Sequence, residues 1–238
     1  MRRRPAGSRQ SDEVAARLRE LVLAGSLPPG SRLPNETALA REYGVSRATL
    51  REALRSLAAH QLIRTAKGAG GGSYVTLPSV DGVASSLHSS LTLMAGAEDI
   101  TVDELLEARE LLEVPAARLA AQRIDADGLE LLRAQIPPAP LTLGPSAQFV
   151  YNQDFHSIVI SSSGNALLEI AAQPIFAVLH THLSRSRLGA RFHRSVNDEH
   201  RAIAAAIAAG DAELAAAEMH DHLAHIRPFY ERAWRSAR

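Results

Sequence analysis

Two groups of side chains in this sequence have the types and the spacing for chemistry. The first is a set of histidines, His156, His200 and His222, together with Asn152. Asn152 and His156 are four residues apart, so on a helix both face the same interior point. His200 and His222 fall on the last two helical stretches, which a short turn at Gly210 makes antiparallel neighbours. Neutral imidazoles suit zinc, nickel, copper or iron, and an amide oxygen can complete such a set. The competing reading is a group of hydrogen-bonded core or surface histidines.

The second group is the stripe Arg47, Arg51 and Arg55 within GVSRATLREALR, residues 44–55. Residues four apart share a helix face, and like charges so placed repel by about 0.2–0.5 kcal/mol per pair in an isolated helix. Such a face calls for an anionic partner. Arg47 in the first turn and Arg51 one turn later are candidates for base or phosphate contact, with Thr49 beside them and Arg55 on the backbone. The alternative is a solvated face with Arg51 and Arg55 paired to Glu52 or other surface acids.

The elements that must position these groups follow from periodicity. Val14, Leu18, Leu21 and Val22 predict a first helix after a possible N-cap at Ser11, closed by Gly25. Pro28-Pro29-Gly30 forms a turn. A second helix over about 36–43 ends at Gly44, and Ser46 is placed to cap a third whose buried face is Leu50, Ala53, Leu54 and Leu57. Two short helices around a glycine turn are a helix-turn-helix. Leu62–Thr65 and Ser73–Leu77, around the glycine-rich Lys67–Gly72, read as strands of a β-hairpin wing.

Beyond residue 78 the pattern changes to helical stretches near 80–95, 101–123, 126–135, 146–162, 165–189, 194–209 and 211–235. Breakers stand at Gly96, Pro137-Pro138-Ala139-Pro140, Gly164, Gly189 and Gly210, and Pro174 should kink the fifth stretch. The expected fold is mainly α: a small α/β winged helix-turn-helix followed by an all-α bundle of six or seven helices. The expected divisions are a basic tail over 1–10, the winged domain over 11–77, a linker over 78–81 and the helical domain over 82–238.

Charge follows the same division. The chain is neutral overall, with 26 basic and 26 acidic residues, yet residues 1–77 carry 13 basic against 6 acidic and the remainder 13 against 20. A +7 module joined to a −7 module suggests a nucleic-acid-binding part attached to something else. Nine of the ten histidines lie in the acidic part. With no cysteine, disulfides and thiolate metal sites are excluded. The basic start is followed by no apolar h-region, and the longest apolar run, Ala202–Ala209, is far short of a membrane span. The expectation is a soluble, cytoplasmic protein with no membrane partner.

The run from Val14 through LRELVLAGSLPPGSRLPNETALAREYGVSRATLREALRSL to GAGGGSYV resembles the winged helix-turn-helix of GntR-type bacterial transcription regulators. The resemblance implies that Arg47, Thr49 and Arg51 contact an operator and that Gly68 of the wing approaches the minor groove. The expected DNA-binding set is completed by Ser46, Arg55 and Lys67. Thr37 stands where many relatives have an arginine.

The segments NQDFHSIVISSSGN, DEHRAIAAAIAAGD and AAAEMHDHL resemble the FCD effector domain of the FadR branch of that family. The resemblance implies a divalent metal held by Asn152, His156, His200 and His222, with Asn152 where aspartate is usual. Zinc or nickel is the first choice, with manganese or iron as alternatives. It also implies that Arg109, in LLEARELLEVPAARLAA, lies near an effector carboxylate; the other reading is a helix-surface pair with Glu113. His225 could reach the rim of the site, whereas His220 should point elsewhere. His180, His182 and His193 flank an arginine-rich turn (Arg185, Arg187, Arg191, Arg194) read as a solvated face.

The implied function is a homodimeric regulator, by default a repressor, released from a palindromic double-stranded operator by a small organic acid. The alternative class is a non-haem-type metalloenzyme using the histidines, for which the sequence offers no acid/base or redox partner and which leaves the basic module without a role.

Overall fold

The computed structural model describes residues 6–68, 71–97, 99–137, 144–183 and 188–236. The chain divides between Ser79 and Val80 into two compact units.

The first unit holds α1 (Ala6–Leu23), α2 (Glu36–Glu42), α3 (Arg47–Ala59), β1 (Ile63–Ala66) and β2 (Gly72–Val75). Its core is Val14, Ala15 and Leu18 of α1 against Leu39 of α2, Leu50, Ala53, Leu54 and Leu57 of α3, and Ile63 and Val75 of the hairpin. The Asn35 side chain accepts from the Ala38 N–H at 2.8 Å, and Ser46 Oγ accepts from the Thr49 N–H at 3.1 Å. These contacts satisfy amides left open at the starts of α2 and α3. Gly44, at φ +64, makes the left-handed turn between the helices. Ser11 is not an N-cap: α1 runs through it, and the side chain is buried.

β1 and β2 pair antiparallel, with Ile63 opposite Val75 and Ala66 opposite Gly72. Glycine is required at the tip, where a Cβ on Gly71 would lie 2.8 Å from the carbonyl oxygens of Ala66 and Gly68. The Arg32 guanidinium bonds the Gly71 carbonyl, and the Arg64 guanidinium lies 4.8 Å from the Tyr74 ring centroid. Polar contacts therefore tie the wing to its own unit.

The second unit is all-helical among its described residues: α4 (Val80–Gly96), α5 (Val102–Arg123), α6 (Ala126–Ala134), α7 (Pro145–Ser162), α8 (Ala166–Leu183), α9 (Ala190–Ala208) and α10 (Ala212–Ser236). A capping box between Thr101 and Glu104 starts α5. α5 packs along α10, α7, α8 and α9, and the core gathers Leu105, Ala117, Phe155, Val159, Leu179, Ile203, Met219 and Ile226 around it. Gly210, at φ +71, closes α9 and lets α10 return beside it. α8 runs helical through Pro174 and is apolar enough along its length to cross a membrane by composition. Its Ala172, Ile175, Phe176, Val178, Leu179 and Leu183 are buried, so that apolarity serves the core. Pro138, Ala139, Pro140, Arg185 and Arg187 lie outside the described residues.

Candidate metal centre and nucleic-acid interface

Four helices converge on the histidines. α7 brings His156, α9 brings His200 and α10 brings His222, each about 1% exposed. One nitrogen of each ring lies within 4.8 Å of the others. His156 Nε2 and His222 Nε2 are 3.2 Å apart, and His200 stacks on Phe155 with centroids 3.8 Å apart. The buried His200 Nε2 has no partner among the described residues. Two inward-facing nitrogens nearly in contact and a third enclosed without a hydrogen bond are a donor set that suits a soft or borderline cation.

The outer nitrogens are held by carboxylates that sequence reasoning did not assign to this site. His156 Nδ1 is 2.5 Å from Glu113 Oε2 on α5, and His222 Nδ1 is 2.7 Å from Glu199 Oε2 on α9. A carboxylate on the far nitrogen fixes the ring's orientation and raises its basicity at the near nitrogen. Glu199 also reaches His225 Nδ1 at 2.7 Å, which places His225 beside the site but outside the trio. His220 is turned away and meets Glu110 at 3.2 Å. The signal for Glu113 was present in its spacing from Arg109. Glu199, adjacent to His200 in sequence, carried none, because the histidines it meets lie on another helix.

Arg109 and Glu113 do not form a helix-surface pair. Both are buried, at 3% and below 1% exposure, with Arg109 Nε donating to Glu113 Oε1 at 2.5 Å. The face of α5 that carries them points into the bundle. The Arg109 guanidinium also lies 5.4 Å from the Phe176 ring centroid and 5.7 Å from that of Tyr230.

Burial sets the charge states. It pushes His156 down to about 4, outweighing the opposing pull of Glu113, and holds His200 well below and His222 below the ordinary histidine value. Burial works against the charge of Glu113 too, but Arg109 and His156 beside it prevail and bring it down to about 2. The interior thus holds neutral imidazoles backed by ionised carboxylates, the protonation state that ligation requires.

Asn152 stands one turn before His156. Its Nδ2 donates to the Tyr230 hydroxyl at 2.9 Å, while its buried Oδ1 has no partner among the described residues. Asn152, Arg109, His156 and Tyr230 line one small cavity.

In the first unit the stripe is exposed. Arg51 Nε donates to Glu36 Oε2 at 2.7 Å, and Arg55 pairs with Glu52 at 3.2 Å, whereas Arg47 makes no hydrogen bond or ion pair among the described residues. The Ser46 and Thr49 hydroxyls share a hydrogen bond of 2.8 Å. Lys67 and Gly68 are exposed at the wing, and Thr37 is exposed on α2.

Comparison with known proteins covers both units. The model of bacterial regulatory proteins of the gntR family matches residues 10–72, and that of the FCD domain matches residues 104–225. The sequence is 32% identical over 229 residues to the "Putative L-lactate dehydrogenase operon regulatory protein" of Escherichia coli K12, covering 94% of this chain and 87% of that one. It is 31% identical over 216 residues to the HTH-type transcriptional regulator LutR of Bacillus subtilis, covering 87% and 94%. Among solved structures, a GntR protein of Streptococcus agalactiae matches with a TM-score of 0.61 at 29% identity, covering 92% of this chain and 99% of that one.

Proposed function

Because the chain belongs to the GntR family of bacterial regulatory proteins and carries an FCD domain, we propose that this transcription regulator is a homodimeric repressor. A small organic acid, bound beside a divalent metal in the helical domain, releases it from a palindromic operator. The observation that carries the metal reading is the buried trio His156, His200 and His222, two of whose rings are held from outside by Glu113 and Glu199. The metalloenzyme alternative gains nothing from the comparisons, whose matches are regulators.

The three histidines would hold the ion, and Asn152 Oδ1 is available as a fourth ligand. Zinc or nickel suits this donor set best. The bound ion supplies an electropositive centre that attracts a carboxylate. Arg109, lining the same cavity, adds a second positive group and keeps Glu113 ionised. On the DNA side, Arg47, Thr49 and Arg51 meet bases or phosphates, Ser46 sets the start of α3, and Arg55, Lys67 and Gly68 meet the backbone and minor groove. Arg51 must exchange Glu36 for DNA when it does so. The name of the Escherichia coli relative makes L-lactate the first acid to try.

Chelator-stripped protein should take up about one zinc or nickel per chain, and the loaded protein should leave its operator when the effector acid is added. Wild type that takes up no zinc, nickel, manganese or iron would refute the metal reading. Operator affinity that ignores every small carboxylate would refute the effector reading.

A further inference from the structure

A cavity of about 340 Å³ opens between α4, α7 and α8, and none of the three clustered histidines lines it. α4 contributes Asp81, Ser85 and His88, α7 contributes Gln153 and Ser157, and α8 contributes Gln173. The spacing accounts for this. Residues 81, 85 and 88 share one face of α4, and 153 and 157 share one face of α7. Its volume falls in the range of about 300–1,000 Å³ over which proteins hold small molecules, whereas the histidine-side cavity measures only about 10 Å³.

The polar groups around this cavity are largely uncommitted. Among the described residues, only Gln173 of these six side chains makes a hydrogen bond, from Nε2 to Glu169 Oε1 at 3.0 Å. Water can serve the groups near the mouth. His88 is different, because its residue is half-buried and its Nε2 is enclosed with no partner among the described residues. An enclosed ring nitrogen left unpaired costs free energy that a ligand hydroxyl would recover.

The chemistry of the lining selects the ligand. It contains neither lysine nor arginine, and its acidic member is Asp81. A carboxylate only accepts, and Gln173, with Nε2 given to Glu169, has its Oε1 left to offer. Ser85, Ser157 and Gln153 can donate or accept, and so can a ligand hydroxyl, which therefore suits either state of His88 Nε2. At Asp81 an acid group would meet like charge and an ammonium opposite charge. Ala84, Pro174 and Ala177 supply an apolar floor for a carbon skeleton.

The structure assigns this cavity as a second small-molecule site, for a polyhydroxylated amine, with the ammonium at Asp81 and hydroxyls at His88 Nε2, Gln153 and Ser157. Gln153 also lines the histidine-side cavity, so the two sites adjoin across α7. The second site uses neither the histidine trio nor Arg109. It stands whether or not the effector reading above holds.

Calorimetry on chelator-stripped full-length protein at low salt tests it with three six-carbon chains that differ at one end: glucamine (ammonium), glucitol (hydroxyl) and gluconate (carboxylate). Glucamine should bind, glucitol should displace it, and gluconate should displace it at least about tenfold less well than glucitol does, because Asp81 repels the acid. Ala177→Phe, which fills the cavity from α8, should abolish glucamine binding. His88→Leu, from α4, should weaken it about fivefold or more. Leucine fills similar space and removes an unpaired nitrogen, so the fold should tolerate it. Nickel uptake equal to wild type by each variant would show that the fold is kept. No heat from glucamine, or glucamine binding that survives both substitutions, would overturn the site. Displacement by gluconate as effective as that by glucitol would overturn the assigned ligand class.

Discussion

A ligating histidine has to be neutral, and burial makes His156 so before any ion arrives. In the unfolded chain an imidazole takes up its proton near pH 6.5, whereas folded His156 resists until about pH 4. Between those values the unfolded state binds more protons, so the metal-free protein gains stability as pH rises. That stability is complete above pH 6.5 and is lost as pH falls toward 4, by about 3 kcal/mol from His156 alone. Glu113 acts lower, its contribution fading from pH 4.5 toward about 2. Thermal melts of chelated protein at pH 7.5 and pH 5 should show the loss, and superimposable melts would contradict it. Asn152 invites a second measurement. Asn152→Asp adds a negative charge beside the ion, so metal should bind more tightly and a carboxylate effector more weakly. Calorimetry showing both affinities unchanged would remove Asn152 from the ligand set. On the DNA side, Arg47→Ala should cost about 1–3 kcal/mol on an operator recovered from random duplexes. Arg55→Ala should weaken all sequences alike and lower the salt slope by about one. Equal operator binding by wild type and Arg47→Ala would end the assignment of Arg47 to base reading.

Elements convert these residues into sites by fixing their directions. Ser46 is one example, since its side chain caps α3 and engages the Thr49 hydroxyl. Ser46→Ala should cost about 1 kcal/mol of stability by loss of the cap. The wing tip is the other example. A Cβ at Gly71 would press on two backbone oxygens at 2.8 Å, and backbone cannot step aside as a flexible side chain can. Gly71→Ala should therefore distort the hairpin, weaken operator binding and leave metal uptake untouched. A gel-shift titration with wild-type affinity would show that the wing takes no part in DNA binding. In the helical unit, α5 is the common wall: Arg109 and Glu113 lie one turn apart on it, so one face carries both the cation and the carboxylate that orients His156.

At the scale of the molecule, the charge asymmetry predicts how the protein meets DNA in general. A +7 module attracts phosphates through counterion release, so retention on DNA-cellulose should be strong at low salt and fall steeply as salt rises. A single winged unit offers few contacts, and pairing two of them on two half-sites is the usual answer for helix-turn-helix proteins. Light scattering should accordingly find a dimer on operator DNA; a monomer both free and bound would refute the homodimer.

The sequence by itself determined the two-part architecture and the helix-turn-helix, whereas it offered the three histidines only as candidates, because their meeting depends on how α7, α9 and α10 pack. The architecture and the helix-turn-helix are written in local terms: glycine and proline punctuation, the apolar face Leu50, Ala53, Leu54 and Leu57, and a composition that switches near residue 78. The start of α1 was misjudged because Ser11 has a capping residue's chemistry, yet tertiary burial holds it within a longer helix. Only the tertiary structure decided that Arg109 and Glu113 face inward, that Glu199 grips His222 from α9, and that His88, Gln153 and Gln173 open onto one cavity. The reason is geometric. Spacing of three or four residues fixes which side chains share a face of one helix, but the rotation of that helix against its neighbours is set by the packing of the whole bundle, and partners from different helices meet only there.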